Sequence, residues 1–209
     1  LSWKPPEDSP MKFRRSSRRT STSISLPRSS STMTSLKICT LGSSAEKLSP
    51  DEICVVVGNG EDKICAYLET RDGKYTIARQ TVRLGTGHAV MQAENVLKNC
   101  ENVLVLCGDA PFMDEETMRA ALKMHLEKDC GATVIAAAPD NPFGYGRIVR
   151  DENGDLLKIV EQKDATIAEQ HIKEINSGAY WFSSKDLLEA LPKLSDSNAS
   201  KEYYLTDAV

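Results

Sequence analysis

The chain has 209 residues, which is enough for one sizeable hydrophobic core or for one core and a tail. Apolar residues make up 40% and charged residues 27%, as in soluble globular proteins, and no apolar run approaches the roughly 20 residues of a membrane-spanning helix, which excludes a transmembrane protein. The net charge of −4 is divided unevenly, because residues 1–49 hold nine Lys or Arg against three Asp or Glu, a charge of +6, and the remainder carries −10.

The basic N-terminal segment differs from the rest of the chain. Residues 1–49 contain 19 Ser or Thr, four arginines between positions 14 and 19, and almost no periodic apolar pattern. Such a segment cannot bury enough apolar surface to offset the entropy lost on ordering, so we predict that residues 1–50 are disordered. The same composition is typical of organelle transit peptides and of basic patches that contact nucleic acid or anionic lipid. Because the chain begins with Leu1, an incomplete or misread N-terminus is an equally good interpretation.

The composition changes at residue 51, where regular secondary structure is predicted to begin. A continuous apolar run over 53–57 leads into Gly58-Asn59-Gly60, which is the pattern of a buried parallel strand followed by a turn. The elements predicted after it are a helix around 61–69, a strand near 75–78, a helix over 86–99 with Thr86 as its N-cap, and a second buried strand over 103–107.

The second half of the chain continues this alternation. The elements predicted there are a helix over 114–128, a third buried strand over 132–138, a strand pair over 147–150 and 156–161 around the Asn153-Gly154 turn, a strand over 178–182 and a helix over 185–191. The order βαβαβ followed by further strands predicts an α/β fold with a mostly parallel sheet and helices on both faces. Sheets of this kind bind ligands beyond the carboxyl ends of their strands.

The six cysteines have no spacing typical of a metal site: they are Cys39, Cys54, Cys65, Cys100, Cys107 and Cys130, with no C-x-x-C pair. Cys54 and Cys107 lie in apolar strand-like runs, where a thiol behaves as a small hydrophobic group. We therefore predict reduced, buried cysteines in a cytosolic protein rather than a disulfide framework.

A glycine-containing turn, Leu84-Gly85-Thr86-Gly87-His88, stands immediately before a predicted helix. Glycines at such a junction let a ligand approach the backbone, and the unpaired N–H groups of a first helical turn favour hydrogen-bond acceptors. The motif is short, so a tight turn with a capped helix explains it as well. His88 alone is more typical of packing or capping than of a catalytic base.

Asp109 follows the apolar strand over 103–107 directly. A carboxylate there projects from the carboxyl end of a strand into the crevice where ligands bind, and hard oxygen ligands of this kind hold Mg²⁺. The alternative is an aspartate that only forms a turn before Pro111.

Polar residues at later strand ends form a third group of candidates. Glu161 and Asn176 offer hydrogen-bonding groups suited to the hydroxyls and amide of a sugar, because a buried polar ligand needs partners for its donors and acceptors. The Gly-Tyr-Gly sequence at 144–146 precedes them. Each of these fragments also has an ordinary structural interpretation as a turn, a solvated face or a loop.

Seven motifs, taken in order and spacing, carry a resemblance to a known family: Gln80, L-G-T-G-H-A at 84–89, C-G-D-A-P at 107–111, G-Y-G-R-I at 144–148, I-V-E-Q-K-D-A at 159–165, E-I-N-S-G at 174–178 and E-Y-Y-L-T-D at 202–207. They resemble the N-terminal uridyltransferase domain of the bifunctional bacterial N-acetylglucosamine-1-phosphate uridyltransferase / glucosamine-1-phosphate N-acetyltransferase family. The resemblance covers about residues 51–209, and it implies a partial sugar-nucleotidyltransferase domain with a Rossmann-like nucleotidyltransferase fold.

The resemblance also implies roles for individual residues. Those matching positions that read the uracil, hold the nucleotide or line the same pocket are Gln80, Gly85, Thr86, Cys107 and Gly108. Those matching positions in contact with, or near, the N-acetylglucosamine group are Gly146, Glu161, Asn176 and Thr206. Asp109 matches the family's catalytic Mg²⁺ ligand.

The function implied is formation of UDP-N-acetylglucosamine and pyrophosphate from UTP and N-acetylglucosamine 1-phosphate, a cytoplasmic step of bacterial cell-wall precursor synthesis. The partners implied are these two substrates and Mg²⁺, with no nucleic acid and no membrane span. The alternatives are a nucleotidyltransferase for another sugar 1-phosphate and a non-catalytic fragment that binds a nucleotide sugar.

The sequence departs from the family at both ends. Residues 1–50 contain no L-x-x-G-x-G-T-x-M motif with its following Lys, so the family's first strand and glycine-rich triphosphate loop are missing. The chain stops at Val209, before the family's second metal-binding Asn and before the β-helix that transfers acetyl groups and through which the parent enzyme is expected to form a homo-oligomer. We therefore expect the chain to be inactive alone and to lack the acetyltransferase function.

Overall fold

The structure is a computed structural model that describes residues 45–58, 61–71, 75–108 and 113–209, and the backbone of residues 21–26. The elements of the first half are strand β1 (Ser21–Leu26), strand β2 (Ile53–Val57), helix α1 (Glu61–Glu69), strand β3 (Tyr75–Arg79), helices α2 (Thr86–Met91) and α3 (Glu94–Leu97), and strand β4 (Asn102–Leu106). The prediction of β2, α1, β3 and β4 is confirmed, to within one residue at their ends.

The second half contains helix α4 (Glu115–Glu127), strands β5 (Ala132–Ala137), β6 (Arg147–Arg150) and β7 (Leu156–Val160), helix α5 (Ile167–Gln170), strand β8 (Ile175–Ser183), helix α6 (Ser184–Ala190), and 3₁₀ turns at Leu191–Lys193 and Leu205–Ala208. All these strands and the helices α4 and α6 were expected, whereas α5 was not. None of the described helices is long and apolar enough to cross a bilayer.

The helix predicted over 86–99 is two short helices. Ala93, at φ −93° and ψ 13°, leaves the helical conformation and separates α2 from α3. The expected N-cap was also wrong, because Gly85 occupies that position and the Thr86 side chain makes no capping hydrogen bond. The Thr86 hydroxyl instead accepts a hydrogen bond from the Leu205 N–H at 3.0 Å.

The main sheet is mixed rather than purely parallel. Strand β1 pairs in parallel with β5, whereas β8 lies antiparallel to both β5 and β4 and also pairs with β6. Strands β4 and β5 therefore run in the same direction with β8 between them, and β6 continues into the antiparallel pair with β7. The predicted α/β class is confirmed, but the sequence contained no indication of the direction of β8.

Helices cover both faces of this sheet, as predicted. Alternating side chains of β5 and β8 point to opposite sides, so that Val134 and Tyr180 lie in one apolar cluster and Ile135 and Trp181 lie in the other. Helices α2, α3 and α6 contribute to the first cluster, and α4 contributes to the second. The Trp181 indole donates a hydrogen bond of 3.0 Å to the Met118 carbonyl, which attaches α4 to the sheet.

The structure describes two parts of the N-terminal segment that the sequence predicts to be disordered. Residues 21–26 form strand β1, so the disorder predicted over 1–50 is wrong for these residues. It is also wrong for residues 45–50, where a helical turn begins at Ala45 and the Glu46 carboxylate forms an ion pair with Arg71. Residues 1–20 and 27–44 lie outside the described residues, and a domain boundary near residue 51 stays a prediction.

An apolar cavity of about 1130 Å³ lies between β2 and β4, lined by Val55, Val103 and Val105 together with Leu48. Within the described ranges β2 pairs only with β3, and β4 pairs only with β8. Two strands thus present open backbone edges on either side of an apolar space. That a first strand of the family is missing from the sheet stays a prediction.

No disulfide joins the cysteines in the part of the chain that the structure describes. Cys130 is buried, but Cys54 and Cys107 are only half-buried, so the expectation that apolar strands would bury them fully is wrong. The open space between β2 and β4 explains this exposure, since both residues line it. Cys39 lies outside the described residues.

Candidate functional site

Gln80 follows the end of β3 and faces the turn that opens α2. Its backbone N–H donates to the Val57 carbonyl at 2.8 Å, which holds it at the carboxyl end of the β2–β3 pair. Its side-chain Nε2 donates to the Gly85 carbonyl at 3.0 Å. The sequence predicted these two residues at one nucleotide site, and the structure brings them into direct contact.

Gly85 is required at its position by conformation and by space. Its φ is +102°, and a Cβ added there would lie 2.6 Å from the Tyr203 carbonyl oxygen. The close approach arises because the Tyr203 N–H donates to the Leu84 carbonyl at 2.7 Å and the Gly87 N–H donates to the Tyr203 carbonyl at 2.8 Å. The segment around Tyr203 therefore packs against the glycine-containing turn.

Thr206 connects this segment to the second half of the candidate site. Its buried hydroxyl donates to Glu161 Oε1 at 3.1 Å. The preceding residue, Leu205, donates its N–H to the exposed Thr86 hydroxyl. Two adjacent residues thus contact both the nucleotide-side and the sugar-side candidates.

Glu161 stands directly after β7 and against the backbone of Gly146. A Cβ on Gly146 would lie 3.3 Å from each carboxylate oxygen of Glu161, so the buried glycine lets the carboxylate approach the chain closely. Burial raises the pKa of the Glu161 carboxyl above its usual range; the Thr206 hydrogen bond opposes this, and the charges of Asp207 and Asp164 add to it. None of the salt bridges among the described residues involves Glu161.

Asn176 is held by the chain on both sides. Its N–H donates to the Gly146 carbonyl at 2.9 Å, its Oδ1 accepts from the Gly178 N–H at 3.1 Å, and its Nδ2 donates to the Tyr180 hydroxyl. In the β5–β8 ladder, Ser177 and Gly178 have no Cα partner, and Gly178 has a φ of +77°. This bulge turns the strand at the position where the sequence predicted a sugar-binding residue.

The end of β4 joins the same bulge. The Cys107 N–H donates to the Gly178 carbonyl at 2.9 Å. Gly108 is exposed, and a Cβ added to it would meet no atom within 4 Å, so the chain emerges there into open space. The predicted metal ligand Asp109 lies outside the described residues, and within the described part of the chain no group of three or more His, Cys, Asp or Glu is arranged to hold a metal ion.

The predicted site residues that the structure describes form one connected series. Neighbouring members are adjacent in sequence, or they are joined by a hydrogen bond or a close approach, either directly or through Leu205 and Gly178. The series runs Gln80, Gly85, Thr86, Thr206, Glu161, Gly146, Asn176, Cys107 and Gly108. Residues that are up to 126 positions apart in sequence, from Gln80 to Thr206, therefore line one continuous region.

Two residues in this region were not predicted as site residues. His88 Nδ1 lies 3.0 Å from Gln80 Nε2, although the sequence favoured a packing or capping role for His88. Arg147 is 1% exposed, and its guanidinium donates to Gln162 Oε1 at 2.8 Å while that oxygen also accepts from the Gly144 N–H at 3.1 Å. The position of Arg147 immediately after Gly146 was the only sequence signal for its involvement.

Comparison with known proteins finds a family model described as nucleotidyl transferase that matches residues 35–209. The match begins upstream of residue 51, where the resemblance in sequence motifs was expected to start. The chain is also similar to the bifunctional protein GlmU of Alkaliphilus metalliredigens, with 48% identity over 159 residues that make up 76% of this chain and 34% of that protein. GlmU of Clostridioides difficile is 45% identical over 163 residues, which are 78% of this chain and 35% of that protein.

The chain thus spans about a third of the length of the curated relatives it matches. Among solved structures, it resembles a UDP-glucose pyrophosphorylase complexed with UDP-glucose, with a TM-score of 0.65, 16% identity, and coverage of 83% of this chain and 72% of that one. A putative glucose-1-phosphate thymidylyltransferase from Bacillus anthracis has a TM-score of 0.66 at 18% identity, over 82% of this chain and 68% of that one. At these identities the structural likeness shows the fold.

Proposed function

We propose that this chain, which belongs to the nucleotidyl transferase family, carries the substrate cleft of a uridyltransferase that joins UTP to N-acetylglucosamine 1-phosphate. The observation that carries the proposal is the connected series from Gln80 to Asn176, in which Leu205 and Thr206 contact both groups of candidates. A nucleotidyl transfer needs both substrates in one cleft, since reaction depends on holding the attacking and accepting groups together. The products are UDP-N-acetylglucosamine and pyrophosphate, in the cytoplasm and for cell-wall synthesis.

The sugar side of the cleft is supported by the chemistry of Glu161. A carboxyl group that is largely buried, accepts one hydrogen bond from Thr206 and has no cation beside it among the described residues retains acceptor capacity. A sugar hydroxyl or the acetamido N–H supplies the donor that such a group needs. The neighbouring Asn176 contributes an amide whose Nδ2 has a second hydrogen beyond the one given to Tyr180.

The nucleotide side is supported by Gln80, Gly85 and Thr86. The Gln80 amide donates to the Gly85 carbonyl, and the missing side chain of Gly85 lets the Tyr203 backbone pack closely against this turn. The exposed Thr86 follows at the start of α2. These groups suit a pyrimidine base and its ribose, which are recognised through a few well-placed polar contacts.

In the proposed reaction a phosphate oxygen of N-acetylglucosamine 1-phosphate attacks the α-phosphorus of UTP in line, and the bond to pyrophosphate breaks. No protein nucleophile takes part, so the residues act by binding and orienting the substrates. Bound Mg²⁺ would neutralise charge on the phosphates. Asp109 fits such an ion in its chemistry, as a hard oxygen ligand that follows Gly108 where β4 ends in open space.

Binding to the 209-residue chain itself tests the proposal. Isothermal titration calorimetry should show binding of UDP-N-acetylglucosamine that is stronger than that of UDP-glucose, because the acetamido group finds partners at the sugar side. Glu161→Ala should weaken UDP-N-acetylglucosamine by about 5- to 150-fold and leave UMP nearly unchanged, since a lost hydrogen bond to a buried partner costs about 1–3 kcal/mol.

The exposed Glu152 offers a matched control, and Glu152→Ala should change neither affinity. Equal affinity for the two UDP-sugars would favour a transferase for another sugar 1-phosphate. Equal losses for UMP and UDP-N-acetylglucosamine in Glu161→Ala would show that Glu161 supports the fold rather than the sugar.

A further inference from the structure

The Gln80 side-chain amide has a defined orientation. The backbone carbonyl of Gly85 can only accept a hydrogen bond, so the Gln80 atom 3.0 Å from it is the amide nitrogen and not the oxygen. The same nitrogen lies 3.0 Å from His88 Nδ1. An amide NH₂ has two hydrogens, and these two acceptors use both of them.

The tautomer of His88 and the orientation of the Gln80 amide depend on each other. If Nδ1 accepts from Gln80, the neutral ring carries its hydrogen on Nε2. The competing contact is from Gln92, whose Nε2 lies 3.3 Å from His88 Nε2 and donates to the His88 carbonyl at 2.9 Å. A neutral imidazole accepts at one nitrogen only, and the contact with Gln80 is the shorter one and is partly buried, whereas that with Gln92 is exposed. The Nε2–H tautomer is therefore favoured.

The consequence for Gln80 is that its amide offers a ligand only its oxygen. No hydrogen bond to Gln80 Oε1 is made by any residue in the described part of the chain. Oε1 is an acceptor, so it pairs with a ring nitrogen that carries a hydrogen. Uracil has such an N–H at N3, whereas N3 of cytosine is itself an acceptor.

We propose that His88 is a positioning residue that fixes the polarity of the Gln80 amide and thereby makes the nucleotide site select uracil over cytosine. This role rests on the proposed function, in which Gln80 faces the base of UTP. Presenting NH₂ to cytosine requires the amide to rotate by half a turn. That rotation breaks the hydrogen bonds to Gly85 and His88, sets the oxygen of Gln80 against the Gly85 carbonyl, and requires His88 to move its hydrogen from Nε2 to Nδ1.

Removal of His88 leaves only one of these two restraints. In His88→Leu the rotated amide loses the bond to Gly85 alone, so the preference for UMP over CMP should fall by roughly 2- to 10-fold, the net worth of one hydrogen bond. His88→Asn should restore the wild-type preference, because its Oδ1 lies near the place of Nδ1 and accepts from Gln80. Gln92→Ala should leave the preference unchanged, since Gln92 touches the other side of the ring.

The experiment measures UMP and CMP affinities of the full 209-residue chain by calorimetry for the wild type and the three variants. Nitrogen-15 NMR of the histidine rings reports the His88 tautomer independently of any ligand, with Nε2–H expected. An Nδ1–H tautomer, or an unchanged UMP-to-CMP ratio in a folded His88→Leu chain, overturns the role of His88. If the wild type binds UDP-N-acetylglucosamine but has equal affinities for UMP and CMP, only the role of His88 is contradicted. If the wild type binds none of the three ligands, the proposed function itself is contradicted.

Discussion

The Thr206 hydroxyl donates a 3.1 Å hydrogen bond to Glu161 Oε1 across 45 positions of the chain. This contact joins the segment after α6 to the end of β7, and it places a buried donor on a carboxylate that has no cation beside it among the described residues. A single hydroxyl does not offset the loss of water around a charge, which is why burial raises the pKa of Glu161. A polar ligand that donates a hydrogen bond to Glu161 would therefore stabilise its carboxylate.

The raised pKa of Glu161 predicts that removing its charge increases stability and weakens ligand binding. Because the pKa of Glu161 is raised in the folded chain above its ordinary 4.5, the folded state binds more protons than the unfolded state just above pH 4.5. The free energy of unfolding therefore falls as pH rises above 4.5, and at pH 7 it is still lowered by the charge on Glu161. Glu161→Gln, which keeps the acceptor for Thr206, should raise the urea midpoint at pH 7 more than at pH 4 while weakening UDP-N-acetylglucosamine.

Glu152→Gln is the matched control for this experiment, because it removes an exposed carboxylate of the same type. Glu152→Gln should leave the difference in urea midpoint between pH 7 and pH 4 as it is in the wild type. A Glu161→Gln chain that is less stable than wild type at pH 7 would mean that the negative charge supports the fold.

Gly85 is expected to tolerate no side chain. Its φ of +102° and ψ of 177° lie in a region that is essentially restricted to glycine, where the strain costs about 1–3 kcal/mol, and the added Cβ would also press on the Tyr203 carbonyl. Gly85→Ala should therefore lower the free energy of unfolding by more than that strain alone. Gly154→Ala separates the two causes, because Gly154 has a φ of +83° and no atom within 4 Å of its Cβ position. Equal losses in the two variants, measured by urea denaturation, would rule out the contact with Tyr203.

The strands and longer helices were predictable from the sequence because local pattern determines them. Residues 53–57 are a continuous apolar run, and residues 132–138 are apolar except for Thr133. Helix α4 has Asp114 as its N-cap, whose side chain accepts from the Thr117 N–H. The break at Ala93 was invisible, since Val90, Ala93 and Leu97 keep the helical spacing of buried residues through it. The direction of β8 depends on pairing with strands far away in sequence, which periodicity does not report.

Much of the candidate site was predictable because the glycines and carboxylates fall at strand and helix ends. Gln80, Gly85, Glu161 and Thr206 could be placed near one another through their motifs. The role of His88 could not be predicted, since it depends on which nitrogen faces the Gln80 amide after the chain has folded. The same holds for Asn176, whose side chain is engaged with Gly178 and Tyr180 through a bulge that the sequence pattern does not reveal.

A buried histidine away from the cleft predicts acid sensitivity. His125 is 2% exposed on α4, and its Nδ1 lies 2.9 Å from the Thr133 hydroxyl. Burial lowers its pKa below the ordinary 6.5, and the charges of Asp129 and Asp186 oppose the shift only in part. Below pH 6.5 the unfolded state therefore binds more protons, so the free energy of unfolding falls as pH falls. His125→Gln should show a smaller loss of urea midpoint between pH 7 and pH 5 than wild type.

The exposed His171 is the control for that comparison, and His171→Gln should follow the wild-type pH dependence. If His125→Gln loses as much stability between pH 7 and pH 5 as the wild type, protonation of His125 is not a source of the acid sensitivity.

The last prediction concerns turnover and the space between β2 and β4. Residues 1–50 contain no glycine-rich triphosphate motif with its Lys, and each absent electrostatic partner of a developing charge costs about 100-fold or more in rate. The 209-residue chain, assayed with UTP, N-acetylglucosamine 1-phosphate and Mg²⁺, should therefore release no pyrophosphate above background. A chimera should recover activity if residues 1–50 carry a family strand, the L-x-x-G-x-G-T-x-M loop and its Lys, and if the C-terminal segment with the family's second metal-binding Asn is restored. The apolar cavity of about 1130 Å³ between the two open strand edges can accept the added strand. Asp109→Asn in that chimera should abolish the recovered turnover and leave the urea midpoint unchanged. Turnover by the original chain would show that residues 1–50 already supply a triphosphate site.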